Sequence, residues 1–414
     1  MSAVSKQLDE LVHQIAQQKI GTAGSSRKYQ SDPRLAQLKS SGSELWIDTG
    51  DLELAQSVWK TELTALTTNN TLANQVVQSG VMDQVIKETI HELKEVALSP
   101  EELVMEVGFV INCRIALRLV AEFRVKVSVE LHPSISRDLP RTLDYGRRYF
   151  KVCPEYFTVK VPLTPEGYLS ARQLRKEGIP VNFTLGFSAR QNYLAARLSN
   201  PNFVNVFLGR LNAVVADNAL GSGAGIGEKV TLATQNELLK VRQKFPAIQT
   251  RLIAASIRNG EQVACLAGVD VQTIPPKAMQ EFQESGQPVE QIRSNLNAEI
   301  EVGVDVDHLW GSKVASLWVV KDGFIKFVDD LVGRDSLDQM SGEDLVRLAE
   351  DQGVNLFHRF SQADLRKIQG HGKIPKLSEW PESVGLDDLM THSALQSFTK
   401  DQDALDERIR SFLS

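Results

Sequence analysis

The 414-residue sequence has few cysteines, little net charge and no long apolar run. Its three cysteines, Cys113, Cys153 and Cys265, are odd in number and far apart, which indicates neither a disulfide framework nor a metal-binding spacing. The net charge of −6 argues against a general nucleic-acid or membrane-surface binder, but it leaves room for a local basic pocket. No apolar run reaches the roughly 18 residues that a membrane helix needs.

The first residues also lack the features of a signal peptide. The run MSAVSKQLDELVHQIAQQ has no charged start and no apolar core, and its pattern predicts an amphipathic helix. Together with reduced cysteines, this predicts a cytoplasmic protein with no nucleic-acid partner and no membrane partner. The length allows one domain of about 250 residues with additions.

From Glu44 onward, short β-rich runs alternate with helical patterns. The candidate strands are 44–48, 63–69, 125–131, 156–162, 180–187, 204–210, 249–257 and 269–275. Between them lie helix signals: Thr164 before Pro165 is typical of a helix start, Gly178 of a helix end, and Ser188 can begin the next helix. Eight strands with intervening helices predict the α/β class and a (β/α)8 TIM barrel, with an open doubly wound sheet as the alternative.

We expect four segments along the chain. They are an N-terminal helix and loop (1–43), the catalytic barrel (44–290), an insertion (291–384) and a C-terminal helix that completes the barrel (385–414). The insertion is too apolar for a disordered linker. We expect it to pack on the outer barrel helices or at a homodimer interface, away from the barrel mouth, with 373–376 as an exposed connection.

Polar residues stand at nearly every predicted strand end, which is where parallel barrels carry their catalytic groups. They are Asp48, Thr68, Asn69, Glu130, Lys160, Asn182, Thr184, Arg210, Ser256 and Arg258. Seven converging strands of this kind predict one charged pocket at the barrel mouth. Lys160 lies in the run TVKVP, which a closed barrel would largely bury.

A buried lysine suits chemistry on a ketone. Burial favours the neutral amine, which can attack a ketone to form an imine, and the protonated imine is an electron sink for breaking the adjacent carbon–carbon bond. Asp48 is the candidate base for the hydroxyl proton. Glu130 could act through a water with Thr184 during imine formation. Arg210 and Arg258 suit a terminal phosphate, which arginines bind in bidentate fashion.

Seven runs in order resemble the signature blocks of transaldolases. They are WIDTGDLELA, TTNNTLAN, VSVEL, VKVPLTPEG, IPVNFTLGFS, FLGRLN and AASIRNGEQVACLAGVD. The stretch 385–414 is similar to the closing helix of that family. The resemblance covers about 44–280 and 385–414. It implies transfer of a dihydroxyacetone unit from sedoheptulose 7-phosphate or fructose 6-phosphate to an aldose phosphate, in the pentose phosphate pathway, with neither cofactor nor metal.

The resemblance also implies a role for each strand-end residue. Lys160 would form the Schiff base, Asp48 would act as the general acid and base, and Glu130 with Thr184 would hold a water. The remaining residues would bind substrate: Thr68, Asn69, Asn182, Phe207, Arg210, Ser256 and Arg258. Two positions depart from the common pattern, because Asn70 replaces a frequent proline and Asn205 a frequent serine.

Two alternative functions stay open at this point. One is a fructose-6-phosphate aldolase that releases free dihydroxyacetone. In that related group, glutamine is typical at the position of Glu130 and tyrosine at that of Phe207, so both residues favour transfer. The other is a catalytically silent binding relative, against which the joint presence of the catalytic residues argues.

Three further features are interpreted as structural. The run GSGAGIG at 221–227 lacks the spacing of a nucleotide-binding loop. The DVDH stretch at 305–308 is expected to be a solvated surface rather than a metal site. His132, near Glu130, is expected to support the structure rather than the chemistry.

Overall fold

The computed structural model describes residues 3–18 and 28–413, and its centre is a closed barrel of eight parallel strands in sequential order. The strands are β1 Glu44–Asp48, β2 Leu63–Thr67, β3 Lys126–Glu130, β4 Phe157–Pro162, β5 Val181–Thr184, β6 Phe203–Phe207, β7 Arg251–Ala255 and β8 Val271–Ile274. Each lies within or next to a run that the sequence predicts as a strand. The predicted (β/α)8 barrel is therefore confirmed, and the open-sheet alternative is wrong.

Eighteen α-helices lie within the described ranges, and most of them surround the barrel. They are α1 Ala3–Gln17, α2 Pro33–Ser40, α3 Leu52–Val58, α4 Asn70–Gln78, α5 Asp83–Leu93, α6 Pro100–Phe123, α7 Leu139–Val152, α8 Pro165–Lys176, α9 Ala189–Ser199, α10 Leu208–Asp217, α11 Ile226–Lys244, α12 Gly260–Cys265, α13 Pro276–Gln283, α14 Leu309–Ser316, α15 Asp322–Val332, α16 Gly342–Asp351, α17 Gln362–His371 and α18 Leu386–Arg410. The helix predicted from the first residues of the chain is confirmed as α1.

Local sequence signals explain where the barrel helices begin and end. The side chains of Thr164 and Ser188 accept hydrogen bonds from the first turns of α8 and α9, as predicted. Gly178 follows α8 with a φ of 81°, a left-handed conformation that glycine adopts without strain. These short, capped connections place the carboxyl ends of the strands at one mouth of the barrel.

The strand register brings the predicted chemical residues side by side. Glu130 on β3 is paired with Lys160 on β4, and Lys160 is paired in turn with Asn182 on β5. On the other side of the barrel mouth, Asp48 on β1 is paired with Thr67 on β2. Parallel pairing therefore places Glu130 on the strand next to Lys160, while Asp48 lies three strands away at the same mouth of the barrel.

The long helix α18 packs against α4 and α6, and it is tied to the barrel by buried polar contacts. Asn70 at the start of α4 donates to Gln402 at 2.9 Å. Asp387, whose side chain is fully buried, accepts two hydrogen bonds of 2.7 Å from Arg190 on α9 and one of 2.6 Å from Ser188. These contacts fix the last helix across the outside of the barrel.

The helices α14 to α17 lie in the segment predicted as an insertion, where α15 packs on α9, α16 on α8 and α17 on α18. The Leu317 carbonyl accepts a hydrogen bond of 2.8 Å from the Ala189 amide at the start of α9. The rings of Phe324 on α15 and Tyr193 on α9 lie 6.5 Å apart in an edge-on arrangement. The segment thus extends the barrel's core outward, while its division into a separate unit remains a prediction.

Two surface features can now be described. The glycine-rich run at 221–227 is held by the insertion, because the amide of Gly223 donates to the carbonyl of Gly303 at 2.9 Å. Among the described residues, no helix has the length and apolar character needed to cross a membrane.

The buried contact of Asp387 gives a prediction about stability. Burial raises the pKa of Asp387, but Arg190 and Ser188 outweigh it and hold the pKa below its ordinary value. We expect Asp387→Ala to lower the free energy of unfolding by about 3 kcal/mol, near the lower end for breaking a buried ion pair, because Arg190 keeps some access to solvent. Urea denaturation followed by circular dichroism measures this.

The matched control is Glu407→Ala, also on α18, which removes an exposed ion pair with Arg410. Exposed pairs contribute little, so this variant should unfold like the parent protein. Equal stability of Asp387→Ala and Glu407→Ala would contradict the prediction.

Candidate active site

A cavity of about 290 Å³ opens at the carboxyl ends of the barrel strands. Eight of the residues predicted from the sequence line it: Asp48, Asn69, Lys160, Asn182, Phe207, Arg210, Ser256 and Arg258. Of the remaining three, Thr68 and Glu130 contact Lys160, and Thr184 lies two residues after Asn182 on β5. The structure therefore brings the predicted residues together at one place.

Lys160 lies at the inner end of this cavity, and only 3% of its surface is exposed. Its Nζ lies 3.0 Å from Glu130 Oε2. Nζ also donates a hydrogen bond of 3.0 Å to the backbone carbonyl of Thr68. The amine is held by these two contacts, so it approaches a ligand in the cavity from a fixed direction.

Glu130 is nearly as buried as Lys160, and it carries the second half of this ion pair. Burial raises the pKa of Glu130, and the nearby charge of Lys160 partly offsets that effect. The hydroxyl of Thr184, on β5, is fully buried and makes no hydrogen bond to any described residue. A carboxyl group with a raised pKa in contact with the amine suits proton transfer at the lysine.

Asp48 lies on the opposite side of the cavity, at the end of β1. Thr67 donates a hydrogen bond of 2.6 Å to Asp48 Oδ1, and the Thr67 hydroxyl lies 2.6 Å from that of Thr273 on β8. Burial raises the pKa of Asp48, although Lys160 and Thr67 act in the other direction. The hydroxyl chain orients the carboxyl group, and the raised pKa brings it closer to the range in which it can both take and give a proton.

Two asparagines complete the inner part of the cavity. Asn69 Oδ1 accepts a hydrogen bond of 2.9 Å from the Leu72 amide and thereby begins α4, which leaves its amide NH2 group for the cavity. Asn182 donates to the Ser128 hydroxyl at 3.2 Å, while its Oδ1 makes no hydrogen bond to a described residue. Each asparagine therefore combines a structural contact with a free polar group.

The outer part of the cavity is cationic. Arg210 is 8% exposed in the first turn of α10, whereas Arg258, after β7, is exposed. Burial and the charge of Arg258 lower the pKa of Arg210 to about 10, so both groups are positively charged at neutral pH. Ser256, with a φ of 62°, turns the chain at the end of β7, two residues before Arg258. Neither guanidinium group forms an ion pair with a described residue, although Asp401 and Glu130 act on the pKa of Arg210, and Asp48 acts on that of Arg258. Two such groups at one end of the cavity are suited to an anion.

Phe207 forms an apolar side of the cavity. Its ring centroid lies 6.0 Å from that of Phe187 and 6.5 Å from that of Phe398 on α18. A ring in this position offers no hydroxyl to the inner part of the cavity. Phe398 also lines the cavity, so the closing helix α18 contributes a residue to the site.

Sequence reasoning missed several lining residues, among them Thr67, Thr273, Phe398, Lys373 and Ile374. The threonines follow the alternation that points every second strand residue inward, and this signal was available. The other three come from segments distant in sequence. For Lys373 and Ile374 the expectation was wrong: the insertion does not stay away from the barrel mouth, because the 373–376 connection reaches it. Lys373 is exposed, as expected, but it lies at the rim of the cavity.

The two departures from the common pattern have structural partners. Asn205 donates to the Phe183 carbonyl at 2.5 Å and accepts from the Gly186 amide at 3.2 Å, which ties β6 to the end of β5. Asn70 holds α18, as described above. His132 lies 3.2 Å from Asp406 on α18 and contacts Ser134, in agreement with its interpretation as a structural residue.

A second and larger cavity, of about 660 Å³, lies between α1, α6, α7 and α18. Its buried arginine, Arg148, is already paired with Glu106 and, at 2.9 Å, with Asp9. Because these charges satisfy one another, the cavity at the strand ends remains the candidate active site.

The site thus consists of a closed parallel barrel with a buried lysine and two carboxyl groups at its mouth, an arrangement found in barrel enzymes. A sequence model of the family described as Transaldolase/Fructose-6-phosphate aldolase matches residues 45–333, more than half of the chain. The chain therefore belongs to this family. The match continues beyond residue 280, into the segment that the sequence resemblance did not cover.

Individual relatives agree with this assignment. The chain is 35% identical over 144 residues to the probable transaldolase of Parvibaculum lavamentivorans, a region that is 34% of this chain and 59% of that protein. Less than two thirds of that relative is therefore spanned. The chain is 28% identical to the transaldolase of Protochlamydia amoebophila, over 62% of this chain and 80% of that relative. It is also 29% identical to the transaldolase of Kluyveromyces lactis, over 67% of this chain and 83% of that relative.

The packing at the cationic end gives a prediction. A Cβ added to Gly209 would lie 2.4 Å from the Ser256 carbonyl oxygen and 2.5 Å from Arg258 Nε. We expect Gly209→Ala to lower the free energy of unfolding by about 1–3 kcal/mol, because the loop after β7 must move. Urea denaturation tests this, with Gly286→Ala as the control, since nothing lies within 4 Å of a Cβ there. A Gly209→Ala protein as stable as its parent would show that the loop after β7 leaves room for a methyl group at Gly209.

Proposed function

We propose that this protein is a transaldolase that transfers a dihydroxyacetone unit from sedoheptulose 7-phosphate, or fructose 6-phosphate, to an aldose phosphate through a Schiff base on Lys160. The observation that carries the proposal is the place of Lys160: it is buried, 3.0 Å from Glu130, and in one cavity with Asp48. The arginines at the outer end of that cavity supply a site for the phosphate group.

The reaction begins at the amine. Neutral Lys160 attacks the C2 carbonyl of the ketose phosphate, and a proton passes to the oxygen, so that water leaves and a protonated imine remains. Glu130, whose pKa is raised by burial, is in contact with the amine and can take its proton and return it to the leaving hydroxyl. The free hydroxyl of Thr184 supports a water in this transfer.

The carbon–carbon bond then breaks at the far side of the imine. Asp48 takes the proton of the C4 hydroxyl, the C3–C4 bond electrons move into the protonated imine, and an aldose phosphate leaves. The three-carbon unit stays on Lys160 as an enamine. An incoming aldehyde is attacked by the enamine, its new alkoxide takes the proton back from Asp48, and water releases the product from the lysine.

Trapping of the imine tests this proposal. Incubation with fructose 6-phosphate and borohydride should leave a reduced three-carbon or six-carbon adduct on Lys160, detected by peptide mass spectrometry. Lys160→Arg should abolish both adduct and turnover, because a guanidinium stays protonated and forms no imine. The control is Lys126→Arg at the opposite end of β3, where the lysine is exposed. An adduct on another lysine would contradict the assignment.

A second candidate activity is aldol cleavage with release of free dihydroxyacetone, because the family description includes both activities. Phe207 favours transfer, since its ring gives water no hydroxyl partner beside the enamine.

We therefore expect the parent protein to require an aldose phosphate acceptor, and Phe207→Tyr to release dihydroxyacetone several times faster. Release is measured with a coupled dehydrogenase assay, and Phe187→Tyr, whose ring lies behind Phe207, is the control. If the parent protein already releases dihydroxyacetone as fast as it transfers it, the aldolase function is the correct one.

The cationic end of the cavity gives a prediction about substrate binding. Arg210→Ala and Arg258→Ala should each raise KM for phosphorylated substrates about thirtyfold, because losing a charge-assisted contact costs on the order of 2 kcal/mol. An unphosphorylated acceptor such as glyceraldehyde should be affected much less. Equal losses for both kinds of acceptor would show that the arginines act only on the structure.

The compartment and assembly belong to the same proposal. We place the enzyme in the cytoplasm on the basis of its composition and chemistry. A homodimer through the insertion also stays a prediction, which analytical ultracentrifugation can test.

A further inference from the structure

One segment of the insertion reaches the cationic end of the cavity. Lys373 and Ile374 line it, although they lie 163 residues or more beyond Arg210 in the sequence. Arg210 Nη1 lies 3.5 Å from the backbone oxygen of Lys373 and donates to it. This contact joins the rim segment 371–377 to a residue of the anion site.

The rim segment is fixed to the far end of the helix that carries Arg210. Asn218, directly after α10, donates to the Pro375 carbonyl at 3.0 Å and accepts from the Leu377 amide at 2.8 Å. At its start, His371 Nε2 lies 3.0 Å from Oε2 of Glu379, two residues beyond the segment. Because the segment is anchored on both sides of Lys373, the position of that residue at the rim follows from the fold.

The charge of Lys373 is available to a ligand. Its side chain is exposed and forms no ion pair with any described residue, whereas Lys376 in the same segment lies 3.9 Å from Glu379. Besides Lys160, the cations that line the cavity with it are Arg258 and Arg210, which contacts the Lys373 backbone oxygen. The cavity is therefore lined by three cationic side chains at one end, one of them supplied by the insertion.

We propose that Lys373 is a substrate-binding residue that contacts the phosphate group of the sugar phosphate, with Ile374 beside it against the carbon chain. This inference rests on the proposed function, in which Arg210 and Arg258 bind that phosphate. Lysine binds phosphate as a mobile point charge, so Lys373 completes the anion site from the solvent side. The insertion thereby takes part in substrate selection.

The test compares Lys373→Ala with Lys376→Ala, which removes a lysine of the same segment that does not line the cavity. A flexible, exposed cation contributes less than a buried arginine. We expect Lys373→Ala to raise KM for glyceraldehyde 3-phosphate about threefold to tenfold, with kcat unchanged, and Lys373→Glu to raise it further. Lys376→Ala and the KM for unphosphorylated glyceraldehyde should not change.

A binding measurement separates this inference from the proposed function. Glycerol 3-phosphate carries the phosphate group but no carbonyl, so calorimetric titration measures its binding without any reaction at Lys160. Lys373→Ala should weaken this binding by a similar factor, and 0.5 M salt should reduce the difference, because the charge is exposed. Unchanged binding of glycerol 3-phosphate and an unchanged KM in Lys373→Ala would overturn the inference even in an active transaldolase. Weakened binding in a protein without transfer activity would instead refute the proposed function alone.

Discussion

The buried pair of Lys160 and Glu130 is the interaction on which the site depends. Two charged groups with 3% and 6% exposure are costly to remove from water, and their 3.0 Å separation offsets only part of that cost. The rest of the barrel must therefore hold both side chains in place. The register of β3 and β4, which sets Glu130 beside Lys160, does this directly, and the Thr68 carbonyl adds a hydrogen bond from a third strand end.

The two carboxyl groups of the site, those of Glu130 and Asp48, differ in their surroundings. Glu130 touches the amine itself, whereas Asp48 is held across the cavity by the hydroxyl chain through Thr67 to Thr273. Burial raises the pKa of both groups, and each is opposed by the charge of Lys160. In the proposed mechanism, Glu130 acts at the imine nitrogen and Asp48 at the C4 hydroxyl of the substrate. Such a division lets one lysine serve bond formation on one side and bond cleavage on the other.

The sequence predicted the strands and the polar strand ends because both depend on local patterns. Asp48, Glu130 and Lys160 each end or nearly end a short apolar run, and parallel pairing in a barrel must bring such ends together. Phe398 and Lys373 could not be predicted in this way. Their positions depend on how α18 and the insertion fold back over the barrel, through contacts such as Asn70 with Gln402 that no local spacing encodes.

The insertion and the anion end of the cavity are connected by an electrostatic argument. Arg210 is buried beside Arg258, and this surrounding lowers its pKa to about 10, so further burial of positive charge at that point would be costly. An additional cation for a phosphate group can therefore be placed only where water still solvates it. The exposed rim meets this condition, and Lys373 lies there because Asn218 anchors its segment to α10. A charge at this rim acts on the anion end of the cavity without contact with the buried lysine at its inner end.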